Sequence, residues 1–122
     1  MRPSSLAIEY VTEVKFMVNT IKAHFGIGQI VWHNLFGYRG VIIDADACYR
    51  GTEQWYEQNA PGHPDKNKPW YYILVHGSVH HAYAAELHLS EDQDGDPIKH
   101  PELDYFFDKF VRGRYLLRRR AN

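Results

Sequence analysis

The chain has 122 residues, of which 44% are hydrophobic and 15% aromatic, and its formal net charge at pH 7 is −1. This size and apolar content predict one folded domain with a single core and exclude a disordered chain. The near-neutral charge excludes DNA binding driven by the charge of the whole molecule, so any DNA contact requires a local basic patch. The single cysteine excludes an intrachain disulfide. No segment reaches the ~18 apolar residues of a membrane span, and we expect a cytoplasmic protein without a membrane contact.

Apolar residues near the N-terminus recur at spacings of three and four, and they are Leu6, Tyr10, Val14, Met17, Val18 and Ile21. This period predicts a helix, although the many β-branched residues of the segment lower its helix propensity. We therefore assign residues 1–21 to an N-terminal extension that is helical. Met17 could also be an internal translation start, in which case the residues before it would be absent from the native product.

Two β-branched runs bounded by glycine, residues 29–33 and 40–45, predict the opening β hairpin. The connection between them contains Gly37, which can adopt the positive φ that such a turn often needs. A polar stretch over residues 46–69 follows, and residues 52–58 within it predict a short helical turn.

A second hairpin is predicted over residues 70–85, with Gly77 and Ser78 as its two-residue turn. That turn places Tyr72 near Tyr83 and Leu74 near His81 across the strands. Residues 86–89 can add a further short strand.

The C-terminal region has the pattern of a helix that begins at His100 and ends near Gly113. Pro101 suits the first turn, and the apolar residues recur at helical spacing. These apolar residues are Leu103, Phe106, Phe107, Phe110 and Val111. We assign the stripe to the core, and any part left uncovered would support a contact between copies in a homo-oligomer. Residues 113–122 form a basic tail.

Several motifs occur in a fixed order: FGIGQ-x-V-x-H at residues 25–33, GYRGV at 37–41, PWYY at 69–72 and HPEL from His100. With them the sequence resembles the YccV-like hemimethylated-DNA-binding family, which includes heat-shock proteins of the HspQ type. The resemblance implies a mostly β domain over residues 22–112, an SH3-like β-barrel that carries the C-terminal helix. It also implies binding to hemimethylated DNA, with a regulatory role at newly replicated DNA. The alternative that it implies is an adaptor or specificity factor for an ATP-dependent protease of the Lon type.

The tip of the first hairpin is the first candidate for contact with DNA. It contains His33, Asn34, Tyr38 and Arg39. An exposed arginine beside aromatic residues can contact a phosphate, a guanine edge or the face of a base. The alternative is that Tyr38 packs against the barrel end and Arg39 is only solvated.

The basic block near the C-terminus is the second candidate, and it contains Arg112, Arg114, Arg118, Arg119 and Arg120. These side chains could reach phosphates, each adding roughly one unit to the salt dependence of binding. The alternative is a frayed and soluble terminus.

The remaining polar residues do not form a motif for metal binding or catalysis. Among the eight histidines, His80 and His81 point to opposite faces of a strand, and there is no CxxC or HExxH. Asp44 and Asp46 could hold a cation or act in acid–base chemistry, but no set of nucleophile, base and orienting group surrounds them. Cys48 has no motif beside it. We therefore expect no enzymatic activity, no metal and no cofactor.

Overall fold

The computed structural model describes residues 23–119, so the helix expected over residues 1–21 and Met17 lie outside the described residues. The strands are β1 (Ile30–His33), β2 (Tyr38–Asp46), β3 (Trp70–Val75), β4 (His81–Ala85), β5 (Leu89–Glu91), β6 (Phe107–Val111) and β7 (Arg114–Leu117). The helices are α1 (Glu53–Asn59) and α2 (Leu103–Phe106), and a 3-10 turn spans Glu86–His88. The prediction of a mostly β protein is confirmed.

The first five strands form one antiparallel sheet in the order β4-β3-β2-β1-β5. Strands β4 and β5 each pair with one neighbour, so the sheet formed by the described residues is open. A closed SH3-like barrel therefore stays a prediction. Strands β6 and β7 form a separate two-stranded ribbon.

Both predicted hairpins of the main sheet are confirmed. Tyr72 lies opposite Tyr83 and Leu74 lies opposite His81, in the register that a turn centred on Gly77 and Ser78 predicts, although the strands themselves end at Val75 and begin again at His81. Gly37 has a φ of +72° in the turn of the first hairpin. The short helical turn is also confirmed as α1, whose first turn is capped by a hydrogen bond from the Trp55 N–H to the hydroxyl of Thr52. Residues 86–88, expected to start a strand, form the 3-10 turn instead, and the strand begins at Leu89.

The expected C-terminal helix is wrong beyond Phe106, where the chain continues as β6. A bulge between Phe107 and Lys109 interrupts the strand register. Because a bulge adds one residue to a strand, Phe107 and Phe110 both face inward although they are three residues apart. Their ring centroids lie 5.2 and 4.6 Å from that of Tyr115. The bulge therefore gives the inward-facing residues of a strand the three-residue spacing that is typical of a helix.

The sheet packs on both faces. One face buries Ile30, Val41, Leu74, Ile98, Phe107 and Tyr115. The other buries Val31, Ile42, Tyr71, Ile73, Ala84 and Leu89. A third cluster joins α1 to the start of β3 through Tyr56, Ala60, Trp70 and Ala85. Each large side chain buried in this way contributes roughly 1.5–3 kcal/mol to folding.

Gly28 allows the ribbon to join the core. It has a φ of +91°, and a Cβ added to it would lie 2.0 Å from the carbonyl oxygen of Tyr115. The Tyr115 N–H donates to the carbonyl oxygen of Gly28 at 2.9 Å. Only glycine permits this approach, which holds the ribbon against the start of β1. Within residues 23–119, no helix has the length and apolar character needed to cross a membrane.

Candidate nucleic-acid interface

His33 holds the turn of the first hairpin from inside the protein. It is buried, and its Nδ1 accepts hydrogen bonds from the N–H groups of Leu35 and Phe36 at 3.3 and 3.0 Å. Burial, and then the neighbouring His88, lower the pKa of His33 to about 4. The imidazole is therefore neutral at pH 7 and supports the turn, with no surface left for a base or a phosphate.

Tyr38 packs against this imidazole, whereas Asn34 lies at the surface. The ring of Tyr38 stacks on His33 at 4.9 Å between centroids, and burial raises the pKa of its phenol to about 12. Asn34 is exposed, and its Oδ1 accepts a hydrogen bond from the hydroxyl of Ser90 at 3.0 Å. Of the four tip residues proposed from the sequence, Asn34 is thus the one that is exposed.

Arg39 is engaged within the protein, and the expectation that it is exposed is wrong. Its side chain is 12% exposed and that of Asp92 is 6% exposed. The Nε and a terminal nitrogen of Arg39 donate to the two carboxylate oxygens of Asp92 at 2.9 and 3.1 Å, and the same terminal nitrogen donates to the carbonyl of Asp96. Asp94 lies 3.6 Å from Nε. A contact between Arg39 and DNA stays a prediction, and it would have to compete with these carboxylates.

The ribbon of β6 and β7 presents a different surface. Lys109 lies opposite Leu116, and Val111 lies opposite Arg114. Because residues two apart on a strand share a face, these four exposed side chains form one outward surface, which we call the ribbon face. The opposite side of the ribbon carries Phe110 and Tyr115 into the core. The ribbon face therefore alternates two cations with two apolar side chains.

Arg112 and Gly113 form the turn of the ribbon, with φ values of +52° and +77°. Within residues 23–119, Lys109, Arg112 and Arg114 make no ion pair with a carboxylate. The guanidinium of Arg114 lies over Gly26, where a Cβ would come within 2.5 Å of one of its nitrogens. Three cations are thus grouped at one end of the molecule without a neutralising partner in the described part.

Charge is unevenly distributed between the ribbon and the rest of the domain. Residues 107–119 carry five cationic side chains and one carboxylate, a net charge of +4. Residues 23–106 carry five cationic side chains and twelve carboxylates, a net charge of −7. The local basic patch that DNA binding requires therefore exists, and it lies on the ribbon.

The arginines that follow β7 differ in their surroundings. Arg118 pairs with Asp108 at 3.0 Å and donates to the carbonyl oxygens of Asp104 and Phe107 at 2.8 and 3.3 Å, so it ties the end of β7 to α2 and β6. Arg119 is exposed. Arg120 lies outside the described residues. The four residues Arg114–Leu117, assigned to the basic tail, form β7 instead.

Sequence reasoning missed Lys109 and Val111 as surface residues of a ribbon because their segment was assigned to a helix, and it missed Leu116 because residues 113–122 were assigned to a tail. A signal for the ribbon was present in the sequence. The dipeptide Arg112-Gly113 lies between two runs with strand-forming residues, and an x-Gly dipeptide at that place is typical of a two-residue hairpin turn.

The other polar groups serve the structure. Asp46 accepts a hydrogen bond from the hydroxyl of Tyr83 at 2.7 Å, and Asp44 accepts from the N–H of Ala45 at 2.8 Å. Cys48 is partly buried. Across residues 23–119, no three side chains of His, Cys, Asp or Glu converge as ligands of a metal ion would.

A known family model matches most of the chain. Residues 23–114 match the family model described as hemimethylated DNA-binding protein, YccV like. This range contains the whole main sheet, α2 and β6, and it ends at the first residue of β7. The chain therefore belongs to the YccV-like hemimethylated DNA-binding family.

Proposed function

We propose that this protein is a non-enzymatic DNA-binding protein that recognises hemimethylated DNA through the ribbon face and Arg112. The observation that carries the proposal is a group of cations without a carboxylate partner among residues 23–119, interleaved with apolar side chains, on a domain whose other described residues are net acidic. Hemimethylated DNA is the product of replication of a methylated duplex. A protein that prefers it would act in a regulatory role on newly replicated DNA, in the cytoplasm at the nucleoid.

The size and charge of the ribbon suit the major groove. A two-stranded β ribbon fits into the major groove of B-DNA. Lys109, Arg112 and Arg114 would then bind phosphates on the groove walls and position the ribbon. Three such contacts predict that the logarithm of the binding constant falls with the logarithm of salt concentration with a slope of about −2.7.

Discrimination of a methyl group requires an apolar contact as well. The exocyclic N6 of adenine lies in the major groove, so a methyl group attached to it is displayed there. Val111 and Leu116 are 45% and 44% exposed on the same face as the cations. Burying one methyl group against them would contribute about 0.8 kcal/mol, or a preference of about fourfold for DNA that carries it.

The test is equilibrium binding, by fluorescence anisotropy, to duplexes of one sequence that are unmethylated, hemimethylated or fully methylated, across a salt series. Lys109→Ala, Arg112→Ala and Arg114→Ala should each weaken binding to all three duplexes and reduce the magnitude of the salt slope by about 0.9. Lys68→Ala, which removes an exposed cation from the acidic body, is the charge-matched control and should leave the slope unchanged.

Val111→Ser and Leu116→Ser separate methyl recognition from charge. They should keep the salt slope and reduce the preference for hemimethylated over unmethylated DNA towards unity. If Lys68→Ala has the same effect as the three ribbon variants, the ribbon does not form the interface. Equal binding of the wild-type protein to all three duplexes would mean that it contacts phosphates without recognising the methyl group.

A second candidate function rests on the apolar tip of the first hairpin. Leu35, Phe36 and Leu87 are 52%, 61% and 71% exposed, and the Asn34 N–H bonds to the His88 carbonyl at 2.8 Å, which brings the three together. Exposed apolar groups of this kind mark protein partners. The partner implied by the resemblance is an ATP-dependent protease of the Lon type, for which the protein would be an adaptor or specificity factor.

Variants of the apolar tip distinguish the two functions. Phe36→Ser and Leu87→Ser should leave DNA binding unchanged and abolish any stimulation of casein degradation by a Lon-type protease. The ribbon variant Arg112→Ala should do the reverse. Stimulation that persists in both tip variants would exclude the tip as the adaptor surface.

A further inference from the structure

The apolar tip of the first hairpin, Leu35, Phe36 and Leu87, is a preformed surface. The ring of Phe36 stacks on the buried imidazole of His33 at 4.8 Å between centroids. His33 also accepts hydrogen bonds from the N–H groups of Leu35 and Phe36 at 3.3 and 3.0 Å, so the backbone of the turn is held in place. Residues 23–119 nevertheless leave the tip uncovered, and Leu87 is 71% exposed. An apolar patch of this kind on a structured turn points to an occupant.

The chain enters the described domain next to this tip. The N–H of His24 donates to Oε1 of Glu86 at 3.0 Å, and the hydroxyl of Tyr71 donates to the same oxygen at 2.6 Å. The Glu86 side chain is only 14% exposed, so its carboxylate fixes the point of entry. Leu87 directly follows Glu86. Residues 1–22 therefore join the domain beside the most exposed side chain of the tip.

Residues 1–22 carry an apolar stripe that suits this surface. Its members share one face if the segment is helical, as its spacing predicts, and they are Leu6, Tyr10, Val14, Met17, Val18 and Ile21. Ile21 is three residues from His24, at most about 11 Å along the chain, so the stripe ends within reach of Leu87. An amphipathic helix that lays such a stripe on an apolar surface is a recurring mode of recognition.

Charge favours the apolar tip over the ribbon face, which also exposes apolar side chains. Residues 1–22 carry three cationic side chains and two carboxylates, a net side-chain charge of +1. Residues 107–119 carry +4, whereas residues 23–106 carry −7. Because like charges repel and opposite charges attract, the segment is directed to the acidic part of the domain, which contains the tip.

We infer that residues 1–22 fold back and cover the apolar tip, with the stripe packed against Leu87 and Phe36. The contact lies within one chain and is autoinhibitory, because a partner that binds the tip must first displace the segment. Covering the exposed part of Leu87 alone should weaken the apparent affinity of such a partner by about tenfold. This consequence rests on the second candidate function, whereas the contact itself depends on neither proposed function.

The first test is NMR of the full chain with labelled methyl groups. Nuclear Overhauser effects are expected between the methyl groups of Leu87 and those of Met17 or Ile21, and none between Leu87 and Ile8. At about 3.6 residues per turn, Ile8 lies about 140° around a helix from Ile21, so it is the internal control. A mixture of labelled and unlabelled chains separates contacts within one chain from contacts between two copies.

The second test measures the equilibrium constant for unfolding in urea. Leu87→Ser removes an apolar side chain that the segment covers, so it should raise this constant by about tenfold. Val79→Ser is the matched control, because Val79 is 67% exposed in the turn before β4, at the end of that strand away from Glu86. It should change the constant by about twofold or less.

A double-mutant cycle identifies the segment that covers the tip. Ile21→Ser should raise the unfolding constant as Leu87→Ser does, and the two together should add little to either alone, because both break the same contact. Ile8→Ser is the same substitution on the other side of the predicted helix. It should have little effect by itself and should leave the effect of Leu87→Ser unchanged.

Three results would overturn the inference. A Leu87→Ser variant as stable as the wild type, without Overhauser effects from Leu87 to the stripe in the wild-type chain, would show that the tip is open to solvent. Equal effects of Ile21→Ser and Ile8→Ser would exclude the stripe as the contact surface. Overhauser effects that appear only between labelled and unlabelled chains would make a second copy the occupant of the tip.

Discussion

Replacement of Asp92 by asparagine tests whether Arg39 belongs to the structure or to a binding surface. Asp92 accepts two hydrogen bonds from the guanidinium and a third from the N–H of Gly95 at 2.9 Å. Burial of Asp92 acts to raise its pKa, but the hydrogen bonds, first that from Arg39, outweigh burial and leave the pKa lowered. Asparagine keeps the shape and one acceptor but removes the charge.

The expected loss lies between two limits. Removing one partner of a fully buried ion pair costs about 3–5 kcal/mol, and an exposed pair contributes about 0–1 kcal/mol. The pair is mostly buried, yet Asp94 and the carbonyl of Asp96 remain beside the guanidinium. We therefore expect Asp92→Asn to lower the free energy of unfolding by about 2 kcal/mol, and the melting temperature by about 10 °C.

Urea unfolding of the wild type and the variant at several pH values is the assay. A lowered pKa in the folded state means that the stabilisation is present above the unfolded value of about 3.9 and is lost as the pH falls through the folded value. The difference between the two proteins should therefore be constant from pH 5 to 8 and shrink below about pH 4. Asp94→Asn, at the exposed member of the cluster, is the control and should cost less than about 0.5 kcal/mol.

Equal stability of the Asp92 and Asp94 variants would refute the reasoning. It would mean that Arg39 is solvated and free to bind a ligand. In that case Asp92→Asn should also strengthen DNA binding, because a competing carboxylate has been removed. Unchanged DNA affinity together with the loss of stability would assign Arg39 to the fold.

Two further predictions concern the buried imidazole and the junction of the ribbon. Because the pKa of His33 is lowered to about 4, the free energy of unfolding should fall by about 3 kcal/mol as the pH drops from 6.5 to 4. In urea unfolding at several pH values, His33→Gln should remove this pH dependence. If the pH dependence persists in the variant, it comes from other groups. Gly28→Ala should lower the free energy of unfolding, measured by calorimetry, by more than about 2 kcal/mol, because the added Cβ would lie 2.0 Å from the Tyr115 carbonyl oxygen. Gly62 also has a positive φ, +78°, but has open space around it, so Gly62→Ala should lower the free energy of unfolding by only about 1 kcal/mol. Equal losses in the two variants would show that the contact with the Tyr115 carbonyl is not the cause.

The sequence was informative wherever neighbours along the chain decide the structure. Strand propensity, glycine positions and two-residue turns are local, so the two hairpins of the main sheet and the pairing of Tyr72 with Tyr83 could be predicted. The order of the motifs also predicted the family. The C-terminal hairpin could not be assigned, because the bulge between Phe107 and Lys109 gives a strand the apolar spacing of a helix.

The candidate sites depended on contacts between distant segments. Arg39 and Asp92 are 53 residues apart, and nothing near either residue in the sequence shows that one neutralises the other. The ribbon face exists because Gly28 lets β7 approach the start of β1. Sequence by itself determined the strands of the two hairpins of the main sheet and the family to which the chain belongs. Only the tertiary structure decided which cations lack a carboxylate partner among the described residues, because burial and pairing are properties of surfaces that distant residues form together.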